Sequence, residues 1–147
     1  MNTFTLYNRE NKPNENEQKT IVDFLHTHLG VYGDDKKDIL KCLKFAIGDS
    51  GKHSGGFVLI IKEEETLKGI TIINETGMSG YIPENILVYI AVNQNFRGKG
   101  IGKQLMEKAL EIAKGDVALH VDHNNPAKKL YERLGFENKY LEMRYKK

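Results

Sequence analysis

The sequence predicts a mixed α/β fold, in which helices pack on a β-sheet, with the element order β-α-α-β-β-β-α-β-α-β. One observation is the run Ile86–Val92, which is apolar, rich in strand-forming residues and followed by a glycine-rich loop. A second is the helical spacing of the apolar residues behind that loop, Ile101, Leu105, Ala109 and Ile112. The third is the composition, 39% hydrophobic and 29% charged, which is typical of a globular protein.

The length of the chain, 147 residues, predicts a single domain over residues 1–147 with a sizeable buried core. No stretch of residues is long and apolar enough to indicate a membrane partner, and the N-terminus lacks the pattern of a signal peptide. Cys42 is the only cysteine, so no intrachain disulfide can form. We therefore expect a cytoplasmic protein that is a monomer or a homodimer.

Local signals place the elements of the N-terminal half. Asn14 is a candidate N-cap with Glu17 at the capping-box position, and Gly30 ends the same helix. The glycine- and serine-rich stretch 48–56 is predicted to be a mobile loop, and the acidic residues 63–65 join the strands of a β-hairpin. The predicted strands and helices of this half are 3–7, 14–30, 34–47, 57–61 and 67–73.

The C-terminal half is predicted to alternate strands and helices around the glycine loop. Gly115 and Gly135 mark the ends of its two helices, since glycine is favoured just beyond a helix C-terminus. The predicted elements are the central strand 85–92, a helix from 98 to 114, a strand at 116–121, a helix at 124–134 and a last strand at 136–145.

The glycine loop predicts a phosphate-binding site. Gly98, Gly100 and Gly102 remove Cβ atoms where the chain enters a helix, so an anion can approach the backbone closely. The N-terminus of a helix also carries roughly half a positive charge and several unpaired N–H groups. Positively charged side chains surround the same point, namely Arg97, Lys99 and Lys103. A phosphate or a pyrophosphate is the natural ligand of such a loop.

Two common phosphate-binding motifs do not fit this loop. A P-loop needs a glycine where this chain has Arg97, and a Ser or Thr where it has Gln104. The dinucleotide fingerprint needs Gly-x-Gly-x-x-Gly after an early strand, whereas the spacing here is Gly-x-Gly-x-Gly and comes late in the chain. The loop therefore belongs to a different class of phosphate site.

The distribution of charge is more informative than its total. The net charge of +2 is too small to indicate a nucleic-acid partner, and basic and aromatic residues do not interleave on one surface. Residues 94–147 carry 12 Lys and Arg against 7 Asp and Glu, whereas residues 1–93 carry 10 against 13. The basic half contains the glycine loop, which suits a cofactor with several phosphates.

A second motif follows in the segment Asn124–Phe136. Its apolar residues fall on one helical face, and this pattern alone indicates only a core helix that ends at Gly135. The spacing Asn-x-x-Ala-x-x-Leu-Tyr-x-x-x-Gly-Phe, together with Arg97–Gly102, resembles the two signatures of the GNAT superfamily of acyl-CoA-dependent N-acyltransferases. The resemblance is firm over residues 86–136 and rests on element order alone over residues 1–85.

The resemblance implies a GNAT-like fold with acetyl-CoA as the acyl donor, bound in a cleft between two splayed parallel strands, 85–92 and 116–121. In this superfamily the pantetheine arm pairs with the first of these strands, as an added strand would. The implied binding residues are Ile90, Ala91 and Val92 for the arm, Arg97, Gly98, Lys99, Gly100, Ile101, Gly102 and Lys103 for the pyrophosphate, and Asn124, Ala127 and Tyr131 across the cleft. Lys128 and Lys129 either contact the 3′-phosphate or form a solvated face.

The implied chemistry is direct transfer of an acetyl group from a thioester to an amine. Tyr131 is the predicted general acid for the leaving thiolate, because a phenol has a pKa of about 10 and can donate a proton to it. The central strand contains no carboxylate, so the base stays open. The candidates are Asp122, His123 and Glu84, with His120, Tyr89 and a chain of waters as alternatives.

The expected acceptor is a primary amine of a small molecule or a peptide. The acidic N-terminal half favours a cationic acceptor, such as a polyamine or a lysine-like amine. No metal is expected, since the histidines lack the thiol or carboxylate cluster of a zinc site. Two other functions stay open: a non-catalytic acyl-CoA sensor of the same fold, and a nucleotide-binding module that uses the glycine loop without CoA.

Overall fold

One mixed sheet of five strands organises the structure, and the strands lie in the sheet in the order in which they follow along the chain. The computed structural model describes residues 1–147. The strands are β1 (Thr3–Tyr7), β2 (Gly56–Glu63), β3 (Thr66–Glu75), β4 (Asn85–Val92) and β5 (Val117–Leu119). The helices are α1 (Glu15–Leu29), α2 (Lys36–Ala46), α3 (Ile101–Ile112) and α4 (Ala127–Arg133), with 3-10 turns at Gly30–Tyr32 and Gln94–Phe96. None of these helices is both long enough and apolar enough to cross a membrane.

Helices cover both faces of the sheet. Neighbouring strands from β1 to β4 are antiparallel. β4 and β5 are parallel, because α3 returns the chain to the end of the sheet at which β4 begins. On one face α1 and α2 bury Leu25 and Leu43 against Ile72. On the other face α3 buries Leu105 against Ile73. The consecutive residues Ile72 and Ile73 thus face opposite cores, as the alternation of side chains along a strand requires.

The start of α1 is the capping box that the sequence predicts. The Asn14 side chain accepts a hydrogen bond from the backbone N–H of Glu17 at 2.8 Å, and the Glu17 carboxylate accepts one from the backbone N–H of Asn14 at 2.8 Å. Gly30 then ends the helix, with a φ of +57° that a right-handed helix cannot continue. Both ends of α1 are therefore determined by residues close in sequence.

A β-bulge in β4 changes the face that its side chains occupy. Leu87 and Tyr89 pair with consecutive residues of β3, so Val88 between them has no partner there. Val88 and Tyr89 consequently both pack on the side of α1 and α2, whereas Leu87 and Ile90 pack on the side of α3. The Thr71 hydroxyl donates to the Tyr89 carbonyl at 2.8 Å and holds the bulge in place.

The two parallel strands separate along their length. β4 and β5 pair only over Asn85–Leu87 and Val117–Leu119. Beyond this point residues 88–92 of β4 have no strand on that side, so their backbone edge is open. This is the divergence of parallel strands that the family resemblance implies.

Several predicted boundaries shift in the structure. α3 begins at Ile101 rather than at residue 98, because Gly98 and Gly100 have φ angles of +78° and +80°. β5 ends at Leu119 rather than at residue 121, where the separation from β4 removes its partner. α4 begins at Ala127 rather than at residue 124, since the Asn125 side chain accepts a hydrogen bond from the Ala127 N–H at 2.9 Å in a local turn.

The predicted last strand at 136–145 is wrong, because no strand follows α4. Phe136 packs on the core beneath α3 and α4, but the apolar side chains after it are almost fully exposed. Alternating apolar and charged residues form a strand only where a partner strand and a buried face exist. β5, the nearest edge, has only three residues in strand conformation.

Candidate active site

A cleft of about 290 Å³ opens where β4 and β5 separate. Apolar side chains of the two strands, including Val88, Ile90 and Leu119, form most of its wall. Its polar side chains come from several parts of the chain and are Tyr32, Asp34, Tyr89, His120, Asn125, Tyr131 and Arg144. The cleft thus combines an apolar lining with a few polar side chains, which is typical of a small-molecule site.

The glycine loop beside the cleft presents unpaired backbone donors. No backbone N–H group between Arg97 and Lys103 donates to another group of the protein. A Cβ atom on Gly98 or Gly100 would meet no atom within 4 Å, so the space over the loop is open. Together with the N-terminus of α3, these N–H groups form an anion-binding surface.

The sequence predicts that the Arg97 side chain adds its charge to that surface, but in the structure the side chain binds elsewhere. Its guanidinium donates to the carbonyl oxygen of His28 at 2.7 Å and to that of Val92 at 3.3 Å. It therefore ties the glycine loop to the C-terminal end of α1, where unpaired carbonyl groups attract a cation. Burial, and then the charge of Arg97, lower the pKa of His28, whose Nδ1 accepts from the Gln94 N–H at 3.4 Å.

The third glycine of the loop has a packing role. A Cβ atom on Gly102 would lie 3.2 Å from a Leu130 methyl carbon and 3.6 Å from a Val92 methyl carbon. Gly102 therefore lets α3 approach α4 and the end of β4 closely. Lys99 and Lys103 are exposed beside the loop, and the Lys99 ammonium lies 5.6 Å from the centre of the Phe96 ring.

The second motif places its residues unequally around the cleft. Tyr131 lines the cleft from α4, and Ala127 packs into the core beneath α3. Asn124 is exposed and is not among the lining residues; its carbonyl accepts from the Tyr32 hydroxyl at 3.3 Å. Asn125 lines the cleft in its place. Of the predicted β4 residues, Ile90 lines the cleft, while Ala91 is buried toward α1 and α2.

Tyr131 is a largely buried phenol that lines the cleft. Its side chain is only 7% exposed, and its hydroxyl has no hydrogen-bond partner within the protein. Its ring packs edge-on against Phe136, with the ring centres 6.0 Å apart. Burial raises the pKa of the Tyr131 hydroxyl from its ordinary value of 10.0 to about 12, and at either value the phenol is protonated at neutral pH. A protonated hydroxyl in the cleft can donate to a group that develops negative charge.

The three predicted bases do not line the cleft. Asp122 and His123 are exposed beyond the end of β5, whereas His120 lies between them and the strand and lines the cleft. Glu84 precedes β4 at the opposite end of the strand from the separation. Its carboxylate accepts from the backbone N–H of Asp116 at 2.7 Å and from that of Gly80 at 3.2 Å. We therefore remove Glu84 from the candidate bases.

Asp34 is the carboxylate that sequence reasoning missed. The Tyr89 hydroxyl donates to Asp34 Oδ2 at 2.5 Å across 55 residues of sequence, and both side chains line the cleft. Burial, and then the hydrogen bond to Asp34, raise the pKa of Tyr89. The sequence predicts only a helix over residues 34–47, which begins at this position. No local pattern connects it with Tyr89, because the contact depends on how α1, α2 and β4 pack.

We expect the substitution Glu84→Gln to weaken the fold without changing the acidic limb of the pH–rate profile. Hydrogen bonds from the backbone of Asp116, then from that of Glu84 itself and from that of Gly80, hold the pKa of Glu84 below its ordinary value of 4.5. Because the folded pKa is the lower one, this stabilisation is present above pH 4.5 and is lost as the pH falls through the folded value. Urea unfolding should show the variant to be less stable at pH 7, with a smaller difference near pH 3. An altered acidic limb would instead return Glu84 to the catalytic site.

Known proteins share both the sequence pattern and the fold. The model of the acetyltransferase (GNAT) family matches residues 16–136. A 5-NmdU N-acetyltransferase of Pseudomonas phage PaMx11 is 30% identical over 86 residues, which are 57% of this chain and 59% of the relative. The match thus spans about three-fifths of that relative's length.

Three solved structures illustrate the likeness of fold. The aminoglycoside N-acetyltransferase AAC(6')-Iy in complex with CoA has a TM-score of 0.68 at 16% identity, covering 100% of this chain and 96% of its own. A GNAT family acetyltransferase from Streptococcus pneumoniae TIGR4 has a TM-score of 0.67 at 15% identity, and the match covers 99% of this chain and 98% of the other. The ribosomal-protein-S18-alanine N-acetyltransferase from Escherichia coli has a TM-score of 0.62 at 16% identity, and the match covers 93% of this chain and 78% of the other. Since the family model also matches most of the sequence, the chain belongs to the acetyltransferase (GNAT) family.

Proposed function

We propose that the protein transfers the acetyl group of acetyl-CoA directly to a primary amine of a small molecule or a peptide. The observation that supports this most is the row of unpaired N–H groups from Arg97 to Lys103, which lies beside the open edge of β4. The row can bind a pyrophosphate, and an open strand edge can pair with the amide groups of a pantetheine arm. The two features therefore recognise adjacent parts of one ligand, CoA.

The residues present fit this ligand. Gly98 and Gly100 leave the space over the loop free, and Lys99 and Lys103 add positive charge around it. Residues 88–92 of β4 offer their unpaired edge to the pantetheine arm. Asn125, just before α4, lines the cleft, and Asn124 and Ala127 stay proposed contacts from the same segment.

Tyr131 supplies the acid of the proposed reaction. The C–N bond to the amine forms as the C–S bond of the thioester breaks, and the leaving sulfur takes the proton of the Tyr131 hydroxyl. The attacking amine must be neutral, so its proton passes to a base or to solvent. The candidates for this base are His120, Asp122 and His123, which follow β5 in the chain, and a chain of waters is the alternative. Tyr131 recovers its proton from solvent.

Thermal unfolding with and without acetyl-CoA tests the donor, since it needs no knowledge of the acceptor. For a dissociation constant on the order of 10 μM, ~1 mM acetyl-CoA adds roughly 2.7 kcal/mol of stability. We expect Tm to rise by roughly 5–10 °C. The same concentration of ATP or NAD should have little effect. An equal shift with these nucleotides, or no shift with acetyl-CoA, would contradict the proposal.

Two glycine variants show whether the loop causes the shift. Gly100→Ala requires a left-handed backbone at φ +80° and should reduce the acetyl-CoA shift. Gly77→Ala introduces the same backbone strain at φ +76°, but at a position far from the loop in sequence. This variant should retain the acetyl-CoA shift.

Release of free thiol with a panel of amines then separates an enzyme from a non-catalytic sensor, because a sensor would show the thermal shift without turnover.

A further inference from the structure

The cleft contains a carboxylate that the acid step does not use. Asp34 lies between the turn Gly30–Tyr32 and α2, and its side chain is exposed at the edge of the cleft. Asp34 Oδ2 accepts from the Tyr89 hydroxyl, whereas Oδ1 receives no hydrogen bond from the protein. The neighbouring cation Lys36 pairs with Asp23 at 3.0 Å instead. One oxygen of Asp34 is thus free to accept from a ligand.

Tyr89 fixes the position of this carboxylate. Its side chain is 8% exposed and belongs to the core beneath α1 and α2, and the bulge at Val88 turns it to that face. A buried phenol has few alternative rotamers in a packed core. Its hydroxyl therefore holds Asp34 in one orientation at 2.5 Å. The carboxylate is prearranged before a ligand binds, which reduces the entropic cost of binding.

The cleft carries a second polar group that has no partner in the protein. Tyr131 is more than nine-tenths buried, lines the same cleft and has no hydrogen-bond partner. Val88, Ile90 and Leu119 give the same cleft apolar lining as well. A ligand that extends from Tyr131 to Asp34 therefore needs polar groups at both ends and an apolar middle.

The other charged groups of the cleft do not neutralise Asp34. Arg144 also lines the cleft, but its guanidinium pairs with Glu142 at 2.5 Å. His120 lines the wall formed after β5. Asp38, on α2, adds to the negative charge near Tyr89 and further raises the pKa of that phenol. The free charge at the exposed end is therefore negative and suits a cation.

We propose that Asp34 binds a second positive charge of the acceptor, so that the preferred acceptor is an alkyl diamine whose two amines are separated by an apolar chain. One amine enters as the nucleophile near Tyr131, and the other stays protonated and donates to Asp34 Oδ1. This inference rests on the proposed acetyl transfer. Asp34 determines specificity, and Tyr89 is a positioning residue that acts through it.

The test compares two acceptors of equal length in the full chain with acetyl-CoA. The probe 1,5-diaminopentane carries both charges, and 5-amino-1-pentanol replaces one ammonium with a hydroxyl. The wild type should acetylate the diamine with at least about tenfold higher kcat/KM, the range expected for a hydrogen bond to a charged group. Asp34→Asn should raise KM for the diamine by about tenfold or more, so that the ratio of kcat/KM between the diamine and the amino alcohol falls toward one.

Asp38→Asn is the matched control, since it removes one acidic charge of the same region outside the cleft lining. It should change both acceptors by less than about threefold. Tyr89→Phe should raise KM for the diamine alone, by less than Asp34→Asn does.

Equal use of both amines by the wild type, or an Asp34→Asn effect of equal size on both, would overturn the inference and leave acetyl transfer intact. Acetylation of neither amine, with a normal acetyl-CoA thermal shift, would also overturn it. Loss of the acetyl-CoA shift itself would instead contradict the proposed function.

Discussion

Replacing Tyr131 with phenylalanine should lower kcat by about 100-fold while the affinity for acetyl-CoA stays nearly unchanged. The hydroxyl belongs to a side chain that lines the cleft, is 7% exposed and makes no hydrogen bond within the protein, so its removal leaves no group unpaired. Phenylalanine keeps the edge-on contact with Phe136. The substitution removes only the hydroxyl with its proton, and burial raises the pKa of that hydroxyl to about 12. Steady-state turnover and calorimetric binding of acetyl-CoA measure the two quantities separately.

A second tyrosine provides the control for this substitution. Tyr81 is 81% exposed in the loop before β4, so Tyr81→Phe removes a hydroxyl without touching the cleft. Its kcat should equal that of the wild type. If Tyr131→Phe also retains full turnover, Tyr131 has no part in proton transfer, and the leaving thiolate is protonated by solvent. If acetyl-CoA affinity falls in parallel with kcat, the hydroxyl binds the donor rather than the transition state.

Replacing Gly56 with alanine should destabilise the fold by more than about 3 kcal/mol, which is a large effect for one methyl group. Gly56 begins β2 with a φ of +144°, a region that residues with a Cβ rarely adopt. A Cβ atom there would lie 2.0 Å from the backbone carbonyl oxygen of Ile73. Neither strand can move away cheaply, because Gly56 pairs with Asn74 in the sheet. Urea unfolding of the purified variant, or its failure to accumulate as folded protein, measures the effect.

Gly51→Ala separates backbone strain from the steric clash. Gly51 also has a positive φ, of +109°, but a Cβ atom on it would meet nothing within 4 Å. This variant should lose only about 1–2 kcal/mol. Equal stability losses for the two variants would show that the approach of β2 to β3 relaxes around the added carbon, contrary to the prediction.

Much of the fold was predictable because its signals are local. The capping box of Asn14 and Glu17 and the glycine after α1 act within a few residues, and both form as predicted. The apolar run of β4 and the helical period of α3 likewise require no distant partner to be recognised. The glycine loop and the Asn124–Phe136 motif indicated the family, because each encodes a turn and a helix face in consecutive residues.

The tertiary structure decided the features that depend on distant partners. The segment 136–145 has an alternating pattern but forms no strand, since pairing requires an edge that sequence alone does not place. Arg97 has the charge of a phosphate ligand, yet its guanidinium binds the end of α1. Asp34 and Tyr89 meet only because α1, α2 and the bulged β4 pack on one face.

The sequence by itself therefore determined the family, the order of the elements up to α4 and the loop that presents unpaired N–H groups. These features follow from spacing and backbone preferences within one segment. Only the tertiary structure decided which carboxylate lies in the cleft and which glycine tolerates no side chain. Both depend on contacts between segments far apart in the chain, as between Asp34 and Tyr89 or between Gly56 and Ile73. Packing sets those distances, and no local pattern encodes them.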